Sequence, residues 1–102
     1  MLTTLDWISA LKTTLCISSD YGIAKHLGIS KHAISKYRRK NEAFGPKTAE
    51  KVAEVLQVDP AILFASSEYE RAKSNSEKDV WQGIYEKIGG LQAEELIRKN
   101  IE

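Results

Sequence analysis

Ser19-Asp20-Tyr21-Gly22-Ile23-Ala24-Lys25-His26-Leu27-Gly28-Ile29-Ser30-Lys31-His32-Ala33-Ile34-Ser35-Lys36-Tyr37-Arg38-Arg39-Lys40-Asn41 is the stretch whose pattern decides the architecture. Ile23, Ala24 and Leu27 recur at i, i+1 and i+4, which predicts a helix over residues 20–27 with one apolar face. Ala24 is small enough for a second helix to cross closely there, since a larger side chain would hold the two axes apart. Gly28 then falls where the chain must turn sharply, and a residue without Cβ adopts positive φ at no steric cost. Ile29 plugs the turn into the core, and Ser30 stands as the N-cap of the next helix. Projected at about 100° per residue, Ala33, Ile34 and Tyr37 share one narrow arc of that helix. Lys31, His32, Ser35 and Arg39 occupy the opposite arc, with Lys36 at its border, so one side is held by neighbours and the other is free to touch something.

Working outward, Leu5, Ile8, Leu11 and Leu15 predict a first helix that starts near Thr3 or Thr4, whose hydroxyls can cap its free amides. Trp7 lies off this stripe, where it covers the edge of the core or joins an interface. Ser18, Ser19 and Asp20 form a polar connection with capping side chains. Downstream, Gly45-Pro46-Lys47-Thr48-Ala49 opens a helix whose Ala49, Val52, Ala53 and Leu56 face inward, and Val58-Asp59-Pro60-Ala61-Ile62-Leu63-Phe64 opens another. After Phe64 the character changes, because Ala65-Ser66-Ser67 and Lys73-Ser74-Asn75-Ser76 interrupt any single apolar stripe. Residues 66–75 form a connection or a helix with an exposed polar face. Asn75 or Ser76 then caps a helix in which Val80, Trp81, Ile84, Tyr85 and Ile88 make a wide apolar face. Gly89-Gly90 ends it, and Leu91, Leu96, Ile97 and Ile101 suggest a short last helix. Strand signals are few, so the fold class is all-α, with residues 1–65 as one domain and residues 66–102 as a helical extension.

The 102 residues suit one core that buries about two thirds of the surface exposed by the unfolded chain. The net charge of +1 conceals a division along the chain. Residues 25–51 hold eight Lys or Arg against Glu42 and Glu50, whereas residues 66–102 hold six basic against eight acidic side chains. A basic window of this kind is either a solvated face or a surface for a polyanion. The single Cys16 excludes a disulfide framework within one chain, and is expected to act as a small apolar residue at a helix end. His26 and His32 lack the partners that metal sites use, so no metal or cofactor is expected. There is no apolar run of membrane-spanning length and no charged start of a signal peptide, so a cytoplasmic protein is the expectation. A Ser/His/Asp order, a paired-carboxylate pocket and a phosphate-cradling glycine loop are all missing, which sets enzymes aside.

Asp20 through Tyr37, with Ile23, Ala24, Leu27, Gly28, Ile29, Ile34 and Tyr37 at their spacings, resembles the helix-turn-helix of the Cro and lambda-type phage repressor family, also called the Xre family. The segments after Gly45 and Val58 resemble that family's fourth and fifth helices, so the likeness covers roughly residues 4–65. It departs at Asp20, where the family often has a Gln that bonds to DNA phosphate, and Asp20 is therefore expected to be a cap. It departs again at Tyr37-Arg38, where the family favours Trp or Leu followed by Glu.

The resemblance implies a five-helix lambda-repressor-like domain that binds a double-stranded DNA operator and regulates transcription as a phage or mobile-element repressor. Lys31, His32, Ser35 and Lys36 would then face base edges in the major groove, where Lys can donate to guanine acceptors. Ser30, Arg38, Arg39, Lys40, Asn41, Lys47 and Thr48 would meet phosphates, aided by the free amides that open the fourth helix. Such modules commonly bind as homodimers on two half-sites. Trp81, Ile84, Tyr85 and Ile88 form either that dimer interface or a cover for the same core. The alternative is a protein-interaction adaptor, such as an antirepressor, whose signature would be an exposed apolar patch without a basic arc. No small-molecule ligand is evident.

Overall fold

A computed structural model describes the backbone of residues 1–101 and the side chains of residues 1–99, and these described residues form seven α-helices and no strand. The side chain of Ile101, expected on the apolar side of the last helix, and Glu102 lie outside the described residues. The helices are α1 (Thr4–Leu15), α2 (Asp20–Leu27), α3 (Lys31–Lys40), α4 (Pro46–Leu56), α5 (Pro60–Arg71), α6 (Asn75–Lys87) and α7 (Gly90–Ile101). No helix among the described residues is long and apolar enough to cross a membrane.

Local chemistry sets the helix ends. Thr3 caps α1 in a reciprocal box with Asp6, each side chain accepting from the other residue's amide. Ser19, Ser30 and Ser74 cap α2, α3 and α6 by accepting from Gly22, Ala33 and Glu77. The cap of α6 is thus Ser74, one residue before Asn75 and two before Ser76, the expected caps. Pro46 and Pro60 open α4 and α5. Gly28 ends α2 at φ +70°, and the Ile29 amide closes the turn on the Ala24 carbonyl at 3.0 Å.

Trp7, Leu11, Ile23, Leu63 and Phe44 are all fully buried in a core that gathers side chains from every helix. Trp7 is at the centre of this core and not at its edge. Its indole Nε1 donates to Ser66 Oγ at 2.9 Å, and that hydroxyl donates to the Leu2 carbonyl at 2.7 Å. Ser66 and Ser67 therefore interrupt the apolar stripe of α5 without leaving the core, and the Ser66 hydroxyl is tolerated there because both its partners are supplied. Helix α5 consequently runs unbroken through residues 65 and 66, where the sequence pattern puts its boundary.

Residues beyond Arg71 pack back on the rest. α6 lies against α5, and α7 against α1. Tyr85 is fully buried, and its hydroxyl donates at 2.8 Å to Glu94 Oε1, which also accepts from the Leu2 amide at 3.1 Å. Burial, reinforced by Glu94, pushes the Tyr85 phenol well above its usual range. Gly90 is required by this arrangement, since a Cβ there would lie inside the contact distance of the Tyr85 ring. Tyr85 therefore belongs to the core cover and is removed from the expected dimer surface. Ala93 and Ile97 join it, whereas Leu91 and Leu96 are exposed.

Candidate nucleic-acid interface

The candidate site is the outer side of α3, and its position follows from how the inner side is held. Ile34 and Tyr37 are buried, and the Tyr37 ring meets Phe44 edge-on with centroids 5.3 Å apart. Ala24 on α2 is buried, and α2 packs against α3. Two polar ties brace the same unit. Lys51 of α4 reaches across to donate to the Leu27 carbonyl at 2.8 Å, satisfying the C-terminal end of α2. At the other end, Arg38 grips Asp20 with two bonds, Nε to Oδ2 and Nη2 to Oδ1, both 2.7 Å.

Asp20 also accepts an ion pair from Lys12 of α1 at 2.8 Å. The Arg38 guanidinium, helped by Lys12, holds its carboxyl well below the usual carboxylate range. This corrects two expectations. The cap of α2 is Ser19, one residue earlier, and Asp20 is the ionic partner that joins α1, α2 and α3. Arg38, expected to bind phosphate, has its planar fork occupied by Asp20 and is not a free cation beside the outer side of α3. Their separation of eighteen residues gave no local signal. Lys51 and Lys12 were likewise missed as structural ties, because neither spacing repeats with a helix period.

The remaining expected residues fall on the outside. Lys31, His32, Lys36, Arg39 and Lys40 are exposed and Ser35 is half-buried. His32, Ser35, Lys36, Arg39 and Lys40 line one shallow depression of about 210 Å³ along α3, so part of the base-facing set and part of the phosphate set share a surface. Ser30 is exposed, and its oxygen caps α3 while its proton remains available to donate. Asn41 ends α3 in the left-handed region at φ +52° and is exposed. Lys47 is exposed and Thr48 half-buried in the first turn of α4, whose Gly45 cap supplies no side-chain bond and leaves the first amides open. Among the described residues, Lys31, Lys36, Arg39, Lys40 and Lys47 make no salt bridge. By contrast Arg71 is engaged, donating to Glu68 at 2.9 Å and to the Phe44 carbonyl, which anchors the α3–α4 loop.

Chemically, this surface presents donors of two kinds, unpaired ammonium and guanidinium groups with a hydroxyl and an imidazole between them. Such an arrangement suits a polyanion with readable edges. No cluster of three His, Cys, Asp or Glu able to hold a metal exists among the described residues. Compared with family models, curated proteins and solved structures, the chain finds no match in any of the three.

Proposed function

We propose that α1 to α5 form a lambda-repressor-like helix-turn-helix unit of the Cro/Xre kind, and that the protein is a sequence-specific transcriptional repressor that places α3 in the major groove of an operator. The observation that carries this reading is the outer side of α3, where unpaired Lys31, Lys36, Arg39 and Lys40 surround His32 and Ser35 on a helix locked from behind by Ile34 and Tyr37. Lys31, His32, Ser35 and Lys36 read base edges. Arg39, Lys40 and Lys47, with the Ser30 and Thr48 hydroxyls and Asn41, meet the phosphates on either side. Bound operator then excludes polymerase.

Selection of bound duplexes from a random pool, followed by titration at several salt concentrations, tests the proposal. An enriched sequence is expected, together with a log–log salt slope of about −2.7 for each chain from Arg39, Lys40 and Lys47. His32→Ala and Lys36→Ala are expected to alter preference among sites while thermal unfolding stays the same, and Lys47→Ala to weaken all sites alike. A pool without enrichment and a binding constant insensitive to salt would remove the DNA reading.

A further inference from the structure

The exposed side of α6 carries a pattern that the DNA reading leaves unused. Val80 is 59 % and Ile84 38 % exposed, one helical turn apart, and the exposed Glu77 and Lys87 stand beyond them at either end. At about 100° per residue these four fall within an arc of about 80°. Tyr85, on a different side, is the residue that holds α6 to the core. The order along the arc is acid, apolar, apolar, base, and it is centred on position 82. Turning the helix end for end about that position sets Val80 opposite Ile84 and Glu77 opposite Lys87. Every pair then occurs twice, and each charge meets its opposite.

Gly83 adds an independent observation. A Cβ there would meet nothing within 4 Å, so nothing inside the chain calls for glycine, although glycine in a helix interior costs about 1 kcal/mol relative to alanine. At about 100° per residue it lies just beyond the Lys87 edge of the arc, where its missing side chain leaves room for a partner's side chains. The mixed charge of α6 does not suit a polyanion.

We propose that this face is the self-association surface of the protein, and that its partner is a second copy of the chain, docked with the two α6 helices antiparallel and their two-fold axis level with position 82. The contact is isologous, as two-fold symmetry requires. Trp81 and Ile88, both half-buried, flank it, and Val80 takes the place that the sequence pattern assigned to Tyr85. A single helix pair buries less than the roughly 1,200 Å² of a standard interface, so the association is of the weak, reversible class.

Sedimentation equilibrium of the full chain without DNA, from about 10 μM to about 1 mM, reads it in the range expected of weak interfaces. The mass is expected to rise with concentration from one chain towards two. Val80→Asp abolishes the rise. Glu77→Lys and Lys87→Glu each weaken self-association about tenfold, because each replaces two attractive pairs by two repulsive ones. An equimolar mixture of those two variants associates as the parent does, since every cross-pair is again opposite in charge. The double variant Glu77→Lys with Lys87→Glu also recovers. Circular dichroism of each variant separates loss of fold from loss of the dimer. A chain that stays monomeric throughout overturns the assignment and leaves the face to a different protein, and a dimer indifferent to Val80→Asp, Glu77→Lys and Lys87→Glu overturns it as well. No DNA enters the assay, so its failure leaves the operator proposal standing.

Discussion

Asp20→Asn removes the charge on which three helices converge, and its two effects run in opposite directions. In the parent, Asp20 takes two 2.7 Å bonds from Arg38 and a 2.8 Å ion pair from Lys12. The side chains are 34 %, 44 % and 26 % exposed, so solvent screens the attraction strongly. An exposed pair with this bidentate geometry stands at the upper end of the usual range, and its loss should cost about 1 kcal/mol. For a domain of this size that lowers Tm by about 5 °C at neutral pH. The carboxyl titrates below its ordinary value of 3.8, so the pair's contribution is complete above that pH and is lost as pH falls through the lower folded value. The gap between parent and variant should therefore be constant from pH 5 to 8 and close in acid, as read by urea denaturation at each pH. On the operator proposed above, the same substitution frees Arg38 and removes a nearby negative charge. Binding should tighten, and the log–log salt slope should steepen by about 0.9, the value of one added phosphate. Equal stability at neutral pH would refute the bracing role, and an unchanged slope would refute the sequestration of Arg38.

Other substitutions check the packing and the buried polar network. Ser66→Ala strands the Trp7 indole N–H in a fully buried site, and should cost about 1–3 kcal/mol in chemical denaturation. Glu70 has its carboxyl pushed above the usual range by burial, although the Thr4 amide and hydroxyl both donate to Oε1 at 2.7 Å. A raised folded value means that its contribution to stability is fullest in acid and is lost as pH rises through that value. Glu70→Gln keeps an acceptor for Thr4, so this variant should equal the parent in acid and exceed it at pH 7. Gly90→Ala drives a methyl group into the Tyr85 ring and should cost about 1–3 kcal/mol by overpacking, measured by thermal unfolding with loss of the buried tyrosine signal.

The stretch from α2 through the Gly28 turn to α3 was legible because its determinants are local. The apolar spacing of Ile23, Ala24 and Leu27, the absence of a Cβ at Gly28 and the hydroxyl of Ser30 each act within one or two turns, and the observed bounds of α2 and α3 follow them. The exposed arc of α3 was legible for the same reason, since a helix with one buried side fixes which residues point away. Legibility failed where the partner is distant. Trp7 lies off the α1 stripe, and its placement depends on a hydroxyl 59 residues later. Ser66 and Ser67 looked like a break because burial of a serine depends on its hydrogen-bond partners and not on its polarity. Tyr85 was ambiguous between core and interface until Gly90 and Glu94 closed around it.

By itself, then, the sequence determined the helical class, the turn at Gly28, the helix caps to within a residue and the division of α3 into a held side and an open side. Periodicity and capping are encoded in neighbours a few positions apart. Only the tertiary structure decided which charges are spent and which remain free. Arg38 and Arg39 are adjacent in the chain and chemically identical, yet Arg38 is bound to Asp20 while Arg39 is exposed beside Lys36. An arginine's role depends on the carboxylate that the folded chain brings within 3 Å, and that proximity is a property of helix packing alone.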